Sequence, residues 1–141
     1  MESFDFAWMV GQRITQVSFN EPSLWFFSFG TNSGIGAECP WRVLMHGTIV
    51  VSSEDHGQQF GLPAPIDAAA RATSLLEDAK VREVKVREGT ADILISLAGD
   101  IHLEIIPFSS GYEGWQVTCP SGHQIIAQGG GQLCTYGSGN A

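Results

Sequence analysis

The chain has 141 residues, 43% of them hydrophobic and 16% charged, a balance too apolar and too weakly charged for intrinsic disorder. Fifteen acids against seven bases leave a formal net charge of −8, which argues against nucleic acid or an anionic membrane as partner. A chain of this length buries about two thirds of its extended surface on folding, so one core suffices without a disulfide or a metal.

The start, Met1-Glu2-Ser3-Phe4-Asp5, carries acids where a secretory signal has its basic region. No apolar run approaches the ~18 residues of a membrane span. The expected location is cytoplasmic, with Cys39, Cys119 and Cys134 as free thiols. Ser3 to Val10 reads as a short helix, Ser3 capping it and Phe4 and Trp8 one turn apart. Strands follow: Arg13 to Glu21, with its period-2 alternation broken between Ile14 and Val17; then Leu24 to Phe29, running into Gly30. A third strand leads to Glu38 and Pro40, and Trp41 to Val43 and Ile49 to Val51 flank a turn at Gly47. Pro65 to Ala79 reads as the clear helix, with Asp67 at its positive end and Ile66, Ala69, Thr73 and Leu76 in its stripe.

The pattern then recurs. Lys80 to Glu88 repeats the basic, apolar and Glu positions of Arg13 to Glu21, and Ile93-Leu94-Ile95-Ser96 lies over Leu24-Trp25-Phe26-Phe27. Glu104 and Pro107 stand opposite Glu38 and Pro40, Trp115 opposite Trp41, Gly122 opposite Gly47, and Ile125-Ile126 opposite Ile49-Val50. The expected fold is α+β, predominantly antiparallel β. It is one domain over 1–141, an internal duplication of a helix-plus-meander unit (about 3–61 and 65–131) with pseudo-two-fold symmetry. A flexible glycine-rich tail is expected over about 132–141.

No motif names a chemistry. The glycines of Gly30 to Gly36 and Gly129 to Gly131 lack Gly-Lys-Ser/Thr and a following helix, so they read as turns or a loose end. No Cys-x-x-Cys occurs, and neither metal nor cofactor is expected. His56, beside Glu54 and Asp55 in the polar loop Ser52 to Gly61, is a general-base candidate, with ordinary turn chemistry the plainer reading. Glu38 and Glu104 form an acid–base candidate if the two-fold brings them together; otherwise they are solvent-facing strand residues. Trp25, Phe27 and Phe29 form one face of an aromatic strand whose other face is also apolar. That face needs cover, either from the amino-terminal segment or from a second subunit, and a homodimer is expected.

Ser52 to Pro63, Ser110 to Gln116 and Gln128 to Leu133 together resemble a family of small bacterial proteins of unassigned activity. The likeness runs from about Gly11 to Leu133 and implies no cofactor or catalytic residue. In size, acidity and duplicated β character the chain also resembles, more loosely, immunity proteins of bacterial toxin systems. Two functions stay open. One is a non-enzymatic protein-interaction module with an acidic surface, immunity-like in its sharpest form. The other is a small-molecule binding or hydrolytic domain with a pocket between the repeats, using Glu38, Glu104 or His56.

Overall fold

Alternation of buried and exposed side chains along the strands sets the architecture, as a sheet with one inner face requires. The computed structural model describes residues 4–30 and 32–137. In chain order the strands are β1 (Gln16–Asn20), β2 (Leu24–Gly30), β3 (Ser33–Ala37), β4 (Trp41–Met45) and β5 (Thr48–Ser52). Helix α1 (Ala68–Leu76) follows. Then come β6 (Val81–Val86), β7 (Ile93–Leu97), β8 (Ile101–Ile105), β9 (Trp115–Thr118), β10 (Gln124–Gly129) and β11 (Gln132–Tyr136). The protein is mostly antiparallel β, richer in strand than the α+β class expected.

The strands form two sheets, one in the order β1-β2-β3-β9-β10-β11 and the other β5-β4-β8-β7-β6. The five-stranded sheet therefore joins the β6-β7-β8 meander to the β4–β5 hairpin, and the six-stranded sheet joins the β1-β2-β3 meander to the β9-β10-β11 meander. The chain passes from the first sheet to the second at Glu38-Cys39-Pro40 and returns over residues 106–114. The two crossings are pinned side by side: the Glu38 N–H donates to Gly114 O (2.9 Å) and the Ile106 N–H to Pro40 O (2.8 Å). Inner faces of both sheets contribute to one core. Trp41 of the five-stranded sheet lies edge-on to Trp25 (5.0 Å) and Phe27 (5.4 Å) of the other.

Trp25, Phe27 and Phe29 are 6%, 0% and 6% exposed, so the face expected to self-associate is the core face. The ladders explain the correction. Trp25 and Phe27 pair with Ala37 and Ile35 of β3, both fully buried, so this side of β2 is the inner one. The outward residue Phe26 is covered within its own sheet. It lies over β3, where a Cβ built on Gly34 would sit 2.7 Å from Phe26 Cζ. Glycine on the neighbouring strand thus makes room for an aromatic ring that would otherwise face water.

The helix begins later than expected. Asp67 Oδ1 accepts the Ala70 N–H (3.0 Å), making Asp67 the cap. Ile66, ahead of that cap, instead exchanges backbone hydrogen bonds with Gln58 and Gly57 (2.8 Å each). Thr73 Oγ1 accepts the Val17 N–H (2.9 Å), so the helix closes part of the free edge of β1. The first-half helix reduces to a 3₁₀ turn over Ala7–Met9, entered through an Asp5 carboxylate that accepts the Ala7 N–H. Ser3, its expected cap, lies outside the described residues. The break in alternation at the start of β6 is a bulge between Val81 and Glu83. Residues 132–136, expected within a fraying tail, form β11, paired along its length with β10.

Candidate functional site

The corner where the chain first changes sheets gathers most of the polar chemistry that the sequence singles out. Pro40 ends β3's run and sends the chain across, which leaves Glu38 exposed at the turn. On one side of Glu38 is a cleft of about 330 Å³ lined by Phe19, Ser23, Trp25, Cys39, Glu54 and His56, among others. On the other is a cleft of about 470 Å³ lined by Cys39, Phe108, Tyr112 and Glu113. A smaller groove over the outer face of β2 and β9 also ends at Glu38 and Glu113. Glu38 is common to all three, and among the described residues no Lys or Arg lines any of them. A larger cleft of about 550 Å³ lies between the amino-terminal segment and the β6–β7 and β10–β11 turns. Its walls include both Arg87 and Glu88 and, among the described residues, hold no histidine, cysteine or serine, so volume and chemistry part company here.

Local hydrogen bonding builds the corner. Ser52 caps a 3₁₀ turn, Ser53–Asp55, in a reciprocal capping box with Asp55. Ser53 Oγ accepts the Trp41 N–H (3.1 Å), tying this turn to the start of β4. His56 follows, with Nδ1 accepting the Ala68 N–H at the first turn of α1 (3.1 Å). Its ring is held between Phe19 (5.0 Å) and Trp25 (5.3 Å). Ser23 Oγ lies 3.5 Å from Glu38 Oε2.

Cys39 shares the cleft with His56, which raises the reading of a cysteine nucleophile. Burial, reinforced by the charge of Asp92, pushes the Cys39 thiol up to about 12, so it stays protonated and weakly nucleophilic. Burial also raises Cys119, with a smaller contribution from Asp5.

Glu38 and His56 thus meet in one cleft, and Glu104 does not join them. Glu104 faces outward from the middle of the five-stranded sheet, opposite Arg42, whose Nε donates to Glu104 Oε1 (2.7 Å). Counted from the tryptophan that opens β4 or β9, Glu104 holds the place that belongs to Gly36 in the other sheet. Glu104 lines none of the clefts at Glu38.

Sequence reasoning missed a hydrogen-bonded chain on the outer face of the five-stranded sheet. Ser96 Oγ lies 3.2 Å from His102 Nδ1, His102 Nε2 3.2 Å from Asp100 Oδ1, and Asp100 Oδ2 3.3 Å from His46 Nδ1. Hydrogen bonds from His102 and then His46 hold the Asp100 carboxyl below its ordinary range. Ser, His and Asp are the residue types of nucleophilic triads, but Asp100 and His46 are 59% and 74% exposed. A carboxylate and an imidazole so open to water lack the preorganised, water-excluded surroundings in which such a triad works. The network clamps two hairpin turns: the His46 N–H donates to Asp100 O (3.1 Å), and both residues have positive φ (52° and 60°). Among the described residues no group of three His, Cys, Asp or Glu is arranged to hold a metal ion.

Comparison of the chain with protein-family models, with curated proteins and with solved structures finds no match.

Proposed function

We propose that this protein is a non-enzymatic interaction module that presents the sheet-crossing corner to a basic protein partner. The observation that carries this reading is the distribution of charge and aromatic surface around Glu38. Glu38, Glu54 and Glu113 line three adjoining clefts whose described walls hold no Lys or Arg, and Phe108 and Tyr112 stand 79% and 82% exposed at the rim. Aromatic side chains that protrude beside acids are the composition of a binding surface with a cationic partner. The chain's net charge of −8 adds long-range attraction that speeds encounter with such a partner. The likeness in size and acidity to toxin-immunity proteins points the same way.

The duplication belongs to the same proposal. The order β1-β2-β3-β9-β10 in one sheet matches β6-β7-β8-β4-β5 in the other, and a tryptophan opens both β4 and β9, which supports descent from a single repeated unit. On that view the corner arose where the two copies exchange hairpins, and the longer second crossing supplies Phe108 and Tyr112.

A small-molecule site is favoured by one specific observation, the convergence of His56, Glu38 and Ser23 in a single cleft. The two readings part on ligand charge and size. The interaction module binds a lysine- or arginine-rich peptide with affinity that falls as salt rises and ignores a glutamate-rich one. Phe108→Ala combined with Tyr112→Ala weakens that binding by roughly tenfold, the effect of losing an interface anchor. A chain that binds neither peptide contradicts the proposal.

A further inference from the structure

We propose that the outer face of the six-stranded sheet carries a second site, a groove along β3 that takes one hexose unit of a neutral polysaccharide chain. The proposal starts from a contrast between matching rows of the two sheets. Across the five-stranded sheet one outward row runs Lys85, Leu94, Glu104, Arg42 and Ser52, and the Arg42–Glu104 ion pair (2.7 Å) spans its centre. The matching row of the six-stranded sheet runs Ser18, Phe26, Gly36, Gln116 and Ile126. Gln16, Ser28, Gly34, Thr118 and Gln124 form the row beside it. Neither of these two rows holds a charged side chain, in a chain with fifteen acids and seven bases.

Where Glu104 stands in one sheet, Gly36 stands in the other, and neither backbone nor packing calls for glycine there. Gly36 is outside the left-handed region, and a Cβ on it would meet Leu24 Cδ1, Phe26 Cδ1 and Gln116 O at 3.7, 3.8 and 4.0 Å, ordinary contact distances. Gly34 differs, since the Phe26 ring occupies the space its Cβ would take. A glycine that weakens a strand without local need marks a place where something approaches the backbone closely. Gly36 belongs to a groove of about 170 Å³, walled by Leu24 and Phe26 of β2 and by Gln116 and Thr118 of β9. Gln116 is half-buried, and among the described residues its side-chain amide has no hydrogen-bond partner.

These features select the ligand. An amide and a hydroxyl each donate and accept, so Gln116 and Thr118 suit an uncharged ligand rich in hydroxyl groups. Phe26 offers an apolar surface to the C–H face of a sugar ring. The groove is smaller than a site that encloses a whole small molecule, so it takes one ring of a chain that continues over the uncharged face. Glu38 and Glu113 at its end accept further hydroxyl hydrogens. An extended peptide would pair with a sheet edge rather than a face, and nucleic acid would need the Lys or Arg that these rows lack.

The test titrates the full, isotope-labelled chain with cellohexaose and maltohexaose, and with hexagalacturonate as an acidic chain. A neutral hexamer is expected to shift Phe26, Gly36, Gln116 and Thr118 with an affinity that salt does not change, because the ligand carries no charge to screen. Hexagalacturonate is expected not to bind, since its carboxylates meet Glu38 and Glu113. Gly36→Ala sets a methyl group in the groove and weakens binding about tenfold. Its melting temperature holds or rises, because alanine suits a strand better than glycine. Gln116→Met keeps the length of the side chain, removes the amide, and also weakens binding about tenfold. Binding of neither neutral hexamer, or full affinity in both variants, overturns the site. Shifts on this face that grow with protein concentration in the absence of sugar place a second copy there and overturn it as well.

Discussion

Trp41 and Trp115 show how one residue type at matching places meets two polar environments. Each is 1% exposed and opens a strand after a sheet crossing, but among the described residues only Trp115 of the two finds a partner for its indole N–H. Trp115→Phe removes the donor and leaves the Ala91 carbonyl unpaired, which costs about 1–3 kcal/mol beyond the loss of packing. Trp41→Phe forfeits no hydrogen bond. Urea unfolding is expected to find Trp115→Phe clearly the more destabilising; equal midpoints contradict the account. Asp100 titrates at this scale too. Its folded pKa is lowered by hydrogen bonds from His102 and His46, so its stabilising effect is present above the ordinary carboxylate pKa and is lost as pH falls through the folded value. Wild type should therefore exceed Asp100→Asn in thermal stability at neutral pH, with the difference vanishing in acid. Residues of this kind were partly legible. Glu38 and His56 stood out as polar residues in their segments, but two strands and a change of sheet separate them, so their meeting depends on a crossing that sequence spacing does not reveal. The Ser96–His102–Asp100–His46 chain was hidden for a related reason: it joins two hairpin turns through a lateral strand pairing.

Turn chemistry decides where elements end. Gly131 closes the β10–β11 turn at φ +79°, and a Cβ there would collide with the carbonyl oxygen of Gly89 in the β6–β7 turn. Gly47 has nearly the same φ, +81°, in open space. Gly47→Ala is expected to lose about 1–2 kcal/mol, the cost of a left-handed conformation for a residue with a Cβ. Gly131→Ala loses more because a backbone must also move, and calorimetry of the two variants separates these contributions. Equal losses would mean that the two turns do not press on each other. The strands themselves were legible because alternation survives in them. Their facing was not legible in β2, where Leu24 to Phe29 is apolar on both sides apart from Ser28. The outer Phe26 is accommodated by Gly34 across the ladder, a relation visible only once β3 is known to be a strand rather than a glycine loop. The first-half helix failed for want of length, since a turn of three residues depends on its packing. Phe6 and Trp8 supply that packing against Trp115 (6.0 Å) and Phe29 (5.2 Å).

At the scale of the whole molecule, each half of the chain places strands in both sheets. Most of the strands were readable from the chain; which strands pair across its two halves was not, because pairing partners carry no local signature. With Trp25, Phe27 and Phe29 in the core, the two-fold association expected from that face loses the surface that carried it. Attention moves to the corner, where acids and exposed aromatics adjoin and bases are missing from the described walls. The crossings that join the two sheets also bring Glu38, Glu54 and Glu113 to adjoining clefts. The most direct test is chemical-shift mapping of the isotope-labelled protein during titration with an arginine-rich peptide. The account predicts shifts concentrated at Ser23, Glu38, Glu54, Tyr112 and Glu113, weakening as salt is added. Shifts centred instead on the outer face around Glu104 and Asp100, or on the cleft between Phe4 and Leu133, would contradict it.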